Sequence, residues 1–206
     1  MNYYIILSQK GAIIPRIDNK HFYTSAIDRY GITAKGLHWH SQKNQMLRFD
    51  AILKLLPDNL SGFSIGDAGC GFGDFYLYME QKPKKYIGID SLPNMQFIAS
   101  KKTAQKIILA NICKEELPKV DYYVCSGALN ILTRFETYQF IQNCYRSSKI
   151  GFVFNALYGN KRSKIYNYLN KQDIYKIAKS LGVKNISFVE NYLDGDITVV
   201  FLKTLS

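Results

Sequence analysis

The stretch Gly66-Asp67-Ala68-Gly69-Cys70-Gly71-Phe72-Gly73-Asp74 decides how this chain is read. In an open α/β sheet, ligands sit at the carboxyl ends of strands, where the chain turns sharply into a helix. Glycine is favoured in such a turn because a side chain would block a ligand approaching the backbone. The helix that follows offers unpaired N–H groups at its start. A third glycine at position 74 would complete the dinucleotide pattern G-x-G-x-x-G, but Asp74 stands there. Asp67 lies just before Gly69. A carboxylate beside a pyrophosphate is repelled, whereas one beside a sulfonium or ammonium group is welcome. The turn therefore suits a cationic ligand better than a dinucleotide.

Around this turn the pattern alternates between strand and helix. Strands are expected at 63–67, 86–90, 107–111, 121–126 and 151–157, with helices at 72–81, 93–101 and 135–146. Upstream, Ser41 can cap a helix over 42–56 that Pro57 ends. Downstream, Asn170 opens a helix with an apolar stripe of Ile174, Ile177, Ala178 and Leu181, and Gly182 stands at its stop. The runs 186–192 and 197–202 flank Asp194-Gly195, a hairpin signal. The fold expected is α/β: a Rossmann-like doubly wound sheet of about seven strands with the last one antiparallel and helices on both faces. Residues 1–40 read as an N-terminal helical arm or lid with a short strand at 3–7, and residues 41–206 as one domain.

Further polar residues stand at the ends of the expected strands. Asp90 can bond both hydroxyls of a ribose, although a surface turn residue would look the same. Asn111-Ile112 can meet an adenine edge, or be an ordinary loop. Ser126-Gly127-Ala128-Leu129-Asn130 follows the fourth strand, where a substrate would face a ligand, or simply exits the sheet.

Two of these segments carry a resemblance. Asp67-Ala68-Gly69-Cys70-Gly71-Phe72-Gly73 resembles the first motif of class I S-adenosylmethionine-dependent methyltransferases, and Tyr86-Ile87-Gly88-Ile89-Asp90-Ser91-Leu92-Pro93 resembles their second. The likeness covers roughly residues 37–202 and is silent on substrate. It implies S-adenosylmethionine as cofactor. Gly69 and Gly71, with Asp67, Ala68 and Cys70, would line its methionine part. Asp90, with Ser91 and Leu92, would hold the ribose; Asn111 and Ile112 would frame the adenine; and Ser126 would face the transfer point. Two positions depart from the common pattern: Ser91 follows the ribose acid where an apolar residue is frequent, and Asn111 stands where Asp is frequent.

In this superfamily such arms commonly fold over the cofactor. Trp39 is expected near the methionine part and Arg48 at its carboxylate, which a guanidinium fits bidentately; core packing and a solvated helix face are the plainer readings. His38 and His40 are candidate bases or structural hydrogen-bonding residues. His40, Asn130, Tyr158 and Arg162 are placed on the substrate side. No catalytic residue is assigned, because alignment of acceptor and methyl supplies much of the rate in methyl transfer. The acceptor atom is expected to be oxygen or nitrogen. No Asp/Asn-Pro-Pro-aromatic motif follows the fourth strand and no Pro-Cys pair occurs, which speaks against the methyltransferases of exocyclic base amines and of C5 of pyrimidines.

Composition sets outer bounds. The 206 residues are 47% hydrophobic and 21% charged, which suits a packed core. No apolar run reaches the length of a membrane span, and Met1–Leu7 lacks the marks of a signal peptide, so a soluble cytoplasmic chain is expected. Cys70, Cys113, Cys125 and Cys144 form no metal-ligand spacing, so no metal is expected. The net charge of +11 fits either scattered surface lysine or an acidic partner such as RNA. Lys161, Arg162 and Lys164, interleaved with Tyr158, Tyr166 and Tyr168, sharpen that question. The competing functions are a nucleic-acid-binding protein on the same fold or an RNA methyltransferase using its basic surface, on the one hand, and a dehydrogenase, on the other. Asp67 and Asp74 speak against the latter, and oligomeric state is not legible.

Overall fold

Residues 18–204 are described by the computed structural model; the expected strand at 3–7 lies outside them. The element order is α1 (Asn19–Tyr30), α2 (Gln42–Leu53), β1 (Ser64–Ala68), α3 (Asp74–Tyr78), β2 (Lys85–Asp90), α4 (Pro93–Thr103), β3 (Lys106–Leu109), β4 (Val120–Cys125), α5 (Arg134–Ser147), β5 (Ser148–Tyr158), β6 (Tyr168–Leu169), α6 (Lys171–Ser180), β7 (Asn185–Val189) and β8 (Asp196–Leu202). The strands form one eight-stranded sheet in the order β3-β2-β1-β4-β5-β8-β7, with β6 beside β5. β1 to β5 pair in parallel, and β8 runs antiparallel to both β5 and β7. The order reverses between β1 and β4, so the crevice at their carboxyl ends is where a ligand belongs.

Both faces of the sheet are covered because the central strands are apolar at successive positions. In β4 and β5, Tyr123, Cys125, Phe152 and Phe154 face one core with Ile141 of α5 and Ile177 of α6. Tyr122, Val124 and Val153 face the other with Phe49 and Ile52 of α2, Phe75 of α3 and Ala99 of α4. A period of two on a doubly covered sheet produces this division. A third, smaller cluster joins Phe72, Leu92 and Met95 to Tyr23 and Ile27 of α1 and to Leu37. It seats the arm on the loops after β1 and β2.

Several elements depart from the sequence expectation. The arm contains α1, capped by the Asp18 carboxylate on the Lys20 and His21 amides and ended by Gly31 at φ +67°. Within it only Ala26 is fully buried, so its periodicity is faint. Helix α2 stops at Leu53 because its end tightens into i→i+3 bonds from Leu55 to Ile52 and from Leu56 to Leu53. Helix α3 spans five residues rather than the whole of 72–81. The Lys82 ammonium turns back onto the carbonyls of Tyr76, Leu77 and Met79, taking the place of further helical donors. Phe135, near the start of α5, is 50% exposed, whereas Thr137 and Phe140 are buried. The short strand β6 is an eighth strand that the sequence did not signal.

One ion pair ties α2 to the far side of the sheet. The Arg48 guanidinium makes a two-pronged contact with Asp196 of β8, Nε to Oδ1 at 2.7 Å, and both residues are buried. Burial outweighs the arginine and raises the Asp196 pKa above its usual value. Removing one partner strands the other charge in the interior. Asp196→Ala is expected to cost about 3–5 kcal/mol in urea unfolding, whereas paired Arg48→Met, Asp196→Leu costs far less.

Candidate active site

The turn after β1 is clamped to the end of β2. The amides of Gly69 and Cys70 donate to the Ile89 carbonyl at 2.8 and 3.1 Å. The Asp90 carboxylate accepts from Gly71 N and from Leu92 N, each at 3.0 Å. Gly69 sits at φ +77°, and a Cβ there would lie 2.5 Å from that of Ala128, so this position admits only glycine without rearrangement. Burial raises the Asp90 pKa to about 6 against the pull of those backbone donors.

Asp67 lies beneath the turn, 2% exposed, and accepts the Tyr86 hydroxyl at 2.6 Å. Burial pushes its pKa up to about 7, opposed by that hydrogen bond and reinforced by Asp90 and Asp74. No described lysine or arginine pairs with Asp67 or Asp90. Two carboxylates without a counter-cation thus line one cavity of about 320 Å³, within the usual range for ligand pockets.

The same cavity collects most of the residues singled out from the sequence. Gly69, Cys70, Gly71, Ser91 and Leu92 line it at the turn. Asn111 and Ile112 line it beyond β3, with the Asn111 side chain accepting from Cys113 N at 3.1 Å. Ser126 and Asn130 line it beyond β4. Ser126 Oγ donates to Asn155, and the Asn130 carbonyl oxygen of the side chain accepts from Leu157 N.

The arm closes one side. Trp39 is 9% exposed and packs flat under the Arg48 guanidinium, whose centre is 4.6 Å from its ring. Its far edge rests on Gly127, where a Cβ would come within 2.6 Å of the indole. Arg48 lines the cavity, but its partner in the structure is Asp196, not a ligand carboxylate. His38 stacks on Phe22 at 3.8 Å and bonds the Phe22 carbonyl, a structural role. His40 lines the cavity with no hydrogen bond to any described residue.

Three expected residues are not among those lining the cavity. Ala68 is buried in the main core, Tyr158 packs against that core, and Arg162 is exposed on the loop after β5. That loop divides its side chains: Lys161, Arg162 and Lys164 are exposed, while Tyr166 and Tyr168 line the cavity. Sequence reasoning missed Tyr23, which lines the cavity from α1. Burial raises its hydroxyl pKa, with Asp90 and Tyr166 close enough to add to it. Its signal was the Asp18 cap and Gly31 stop, which frame a helix. The described cysteines are free thiols, and burial holds those of Cys70, Cys125 and Cys144 protonated. Among the described residues no group is arranged to hold a metal, and no helix is long and apolar enough to cross a membrane.

Comparison with known proteins finds methyltransferases. A family described as a methyltransferase domain matches residues 65–151. A protein of Mycobacterium tuberculosis, provisionally named a methyltransferase, is 25% identical over 156 residues, 68% of this chain and 93% of its own. The crystal structure of a magnesium protoporphyrin IX methyltransferase from Synechocystis with bound S-adenosylhomocysteine superposes with a TM-score of 0.68. It is 15% identical, and the match covers 89% of this chain and 96% of that one. An S-adenosylmethionine-dependent methyltransferase from Clostridium acetobutylicum superposes at 0.64, with 15% identity over 89% of this chain and 99% of its own.

The raised pKa of Asp67 has a thermodynamic signature. An acid whose pKa is higher folded than unfolded stabilises the fold at low pH, and that stability is lost as pH rises through the folded value. For Asp67 the window runs from the ordinary 3.8 to about 7. Unfolding free energy should fall across it by up to ~1.4 kcal/mol per pH unit for this proton. Asp67→Asn should flatten that slope in denaturant titrations at pH 5 to 8.

Proposed function

We infer that this chain, which belongs to the class I S-adenosylmethionine-dependent methyltransferase superfamily, moves the cofactor's methyl group to an oxygen or nitrogen of an acceptor held in the cavity beside the Gly69 turn. One observation carries this reading. The glycine turn, Asp90, and Asn111 with Ile112 line a single cavity at the switch point of the sheet, and its two unpaired acids lie in the part nearest the turn.

The residues fit the cofactor. Gly69 lets the turn pack directly on Ala128 after β4, with its backbone bordering the cavity. Each Asp90 oxygen holds one backbone donor and keeps acceptor capacity for a ribose hydroxyl. The uncompensated charge near the turn is negative, which suits a ligand bearing a sulfonium and an ammonium group.

When bound, S-adenosylmethionine supplies an electrophilic methyl group. The chain's own tasks are to hold, align and shield. Alignment is worth on the order of 7–11 kcal/mol where it is ideal. Trp39, Tyr23 and Leu37 close the arm side and keep water from the transfer point. The acceptor atom gains the bond to carbon as the sulfur–carbon bond breaks, and the electron pair stays on sulfur. The acceptor's proton leaves to solvent or to His40, whose ring is uncommitted.

Calorimetry with S-adenosylmethionine and with S-adenosylhomocysteine tests the cofactor reading, and absence of heat with both would overturn it. Asp90→Ala should weaken both by about 10–100-fold, the worth of hydrogen bonds to a charged group. The preference for the cationic over the neutral cofactor form should rise with pH through about 7, as Asp67 ionises. Asp67→Asn should abolish that rise while still binding both.

A further inference from the structure

The charge of this protein is divided between surface and cavity. The chain carries 27 lysines and arginines against 16 acids. Of the described lysines and arginines only Arg48 lines the cavity, and its charge is met by Asp196. Four acids line it: Asp67, Asp74, Asp90 and Glu136. Asp74 is paired with Lys102, which lies outside the cavity, and Glu136 serves the cap of α5 with Thr133. An anionic acceptor would therefore be desolvated beside carboxylates with no free lysine or arginine among the described residues to meet it.

The cavity is also rich in aromatic side chains. Tyr166 and Tyr168 come from the loop after β5, Trp39 and His40 from the arm, and Tyr23 and Phe22 from α1. Tyr23 stands edge-on to Phe22 and His38 at 5.3 and 5.8 Å, and lies near both Tyr166 and Asp90. Rings at such spacing favour a flat guest, which gains stacking and edge contacts beyond its buried area. A protonated amine on that guest would gain from the ring faces as well.

We propose that the acceptor is a small planar aromatic molecule, uncharged or amine-bearing, received among the rings of Tyr166, Tyr168, Trp39 and Tyr23. This rests on the methyltransferase reading above and narrows its acceptor. Nucleic acid is disfavoured because Lys161, Arg162 and Lys164 point outward, while the tyrosines of the same loop face the cavity. The basic surface is then a solvated one.

The protein carries its own probe, since Trp39 is its single tryptophan and lines the site. Its emission, excited where the tyrosines do not absorb, is followed with and without saturating S-adenosylhomocysteine. The probes are tyramine, tyrosol and 4-hydroxyphenylacetate, which share one ring and differ in charge, with 2-cyclohexylethylamine and an oligouridine RNA beside them. Tyramine and tyrosol should perturb Trp39 at least about tenfold more tightly than 4-hydroxyphenylacetate or the saturated amine, and the RNA should leave it unchanged. Tyr166→Leu should weaken the two ring probes and leave the S-adenosylhomocysteine titration intact. Binding of 4-hydroxyphenylacetate or RNA as tight as that of tyramine, or no ring binding at all, would overturn the proposal. S-adenosylhomocysteine titrated in the same experiment separates the two readings: if it binds and the rings do not, the acceptor proposal fails alone.

Discussion

The site depends on one carboxylate held by two backbone amides. Asp90 ends β2 and accepts from Gly71 and Leu92, so it joins the turn after β1 to the loop after β2. Neither donor carries a charge, and burial therefore raises the acid's proton affinity instead of quenching it. The turn is fixed in place while the acid remains hungry for further donors. A ribose offers such donors. The crowding at Gly69 follows from the same clamp, since its amide is bonded to the Ile89 carbonyl just upstream of Asp90.

Asp67 follows a related logic with a different partner. The Tyr86 hydroxyl satisfies one oxygen and supplies no positive charge. A lysine in that place would have held the aspartate ionised and stable, but would have cancelled the field that favours a cationic ligand. Stability is given up near neutral pH for an electrostatic preference, a common bargain at functional sites.

Much of this half of the molecule was legible because its signals are local. The glycine turn, the missing third glycine, and the acids at two strand ends lie within 24 residues, from Asp67 to Asp90. The Asn170 cap and Gly182 stop of α6 were equally readable, as each acts on its own helix. The remainder rests on contacts that sequence spacing does not carry. Arg48 finds Asp196 at 148 residues' separation, so a ligand carboxylate was the natural guess for its partner. The extent of α3 was misread because a lysine beyond it, Lys82, caps its carbonyls. Tyr23 was overlooked because α1 is half-buried on a cluster that only tertiary packing assembles. The strand β6 is two residues long and has no pattern of its own.

The matched methyltransferase domain, residues 65–151, contains the turn, Asp90, Asn111 and Ser126. The rings of Tyr23, Trp39, Tyr166 and Tyr168 lie outside it on both sides, in the arm before it and the loop after β5. The glycine turn and the aromatic lining of the cavity thus come from separable stretches of chain. They meet through a buried polar chain in which Ser126 bonds Asn155, Asn155 bonds Thr198, and Thr198 bonds Tyr192. Asn155 also bonds the Arg48 carbonyl, and Arg48 carries Trp39 on its other side. Through these bonds the terminal hairpin, far from the turn in sequence, fixes the position of the indole that faces the acceptor. Tyr23 of the aromatic set packs on the cluster containing Leu92, whose amide holds Asp90, so the arm is joined to the clamp directly as well as through this chain of bonds.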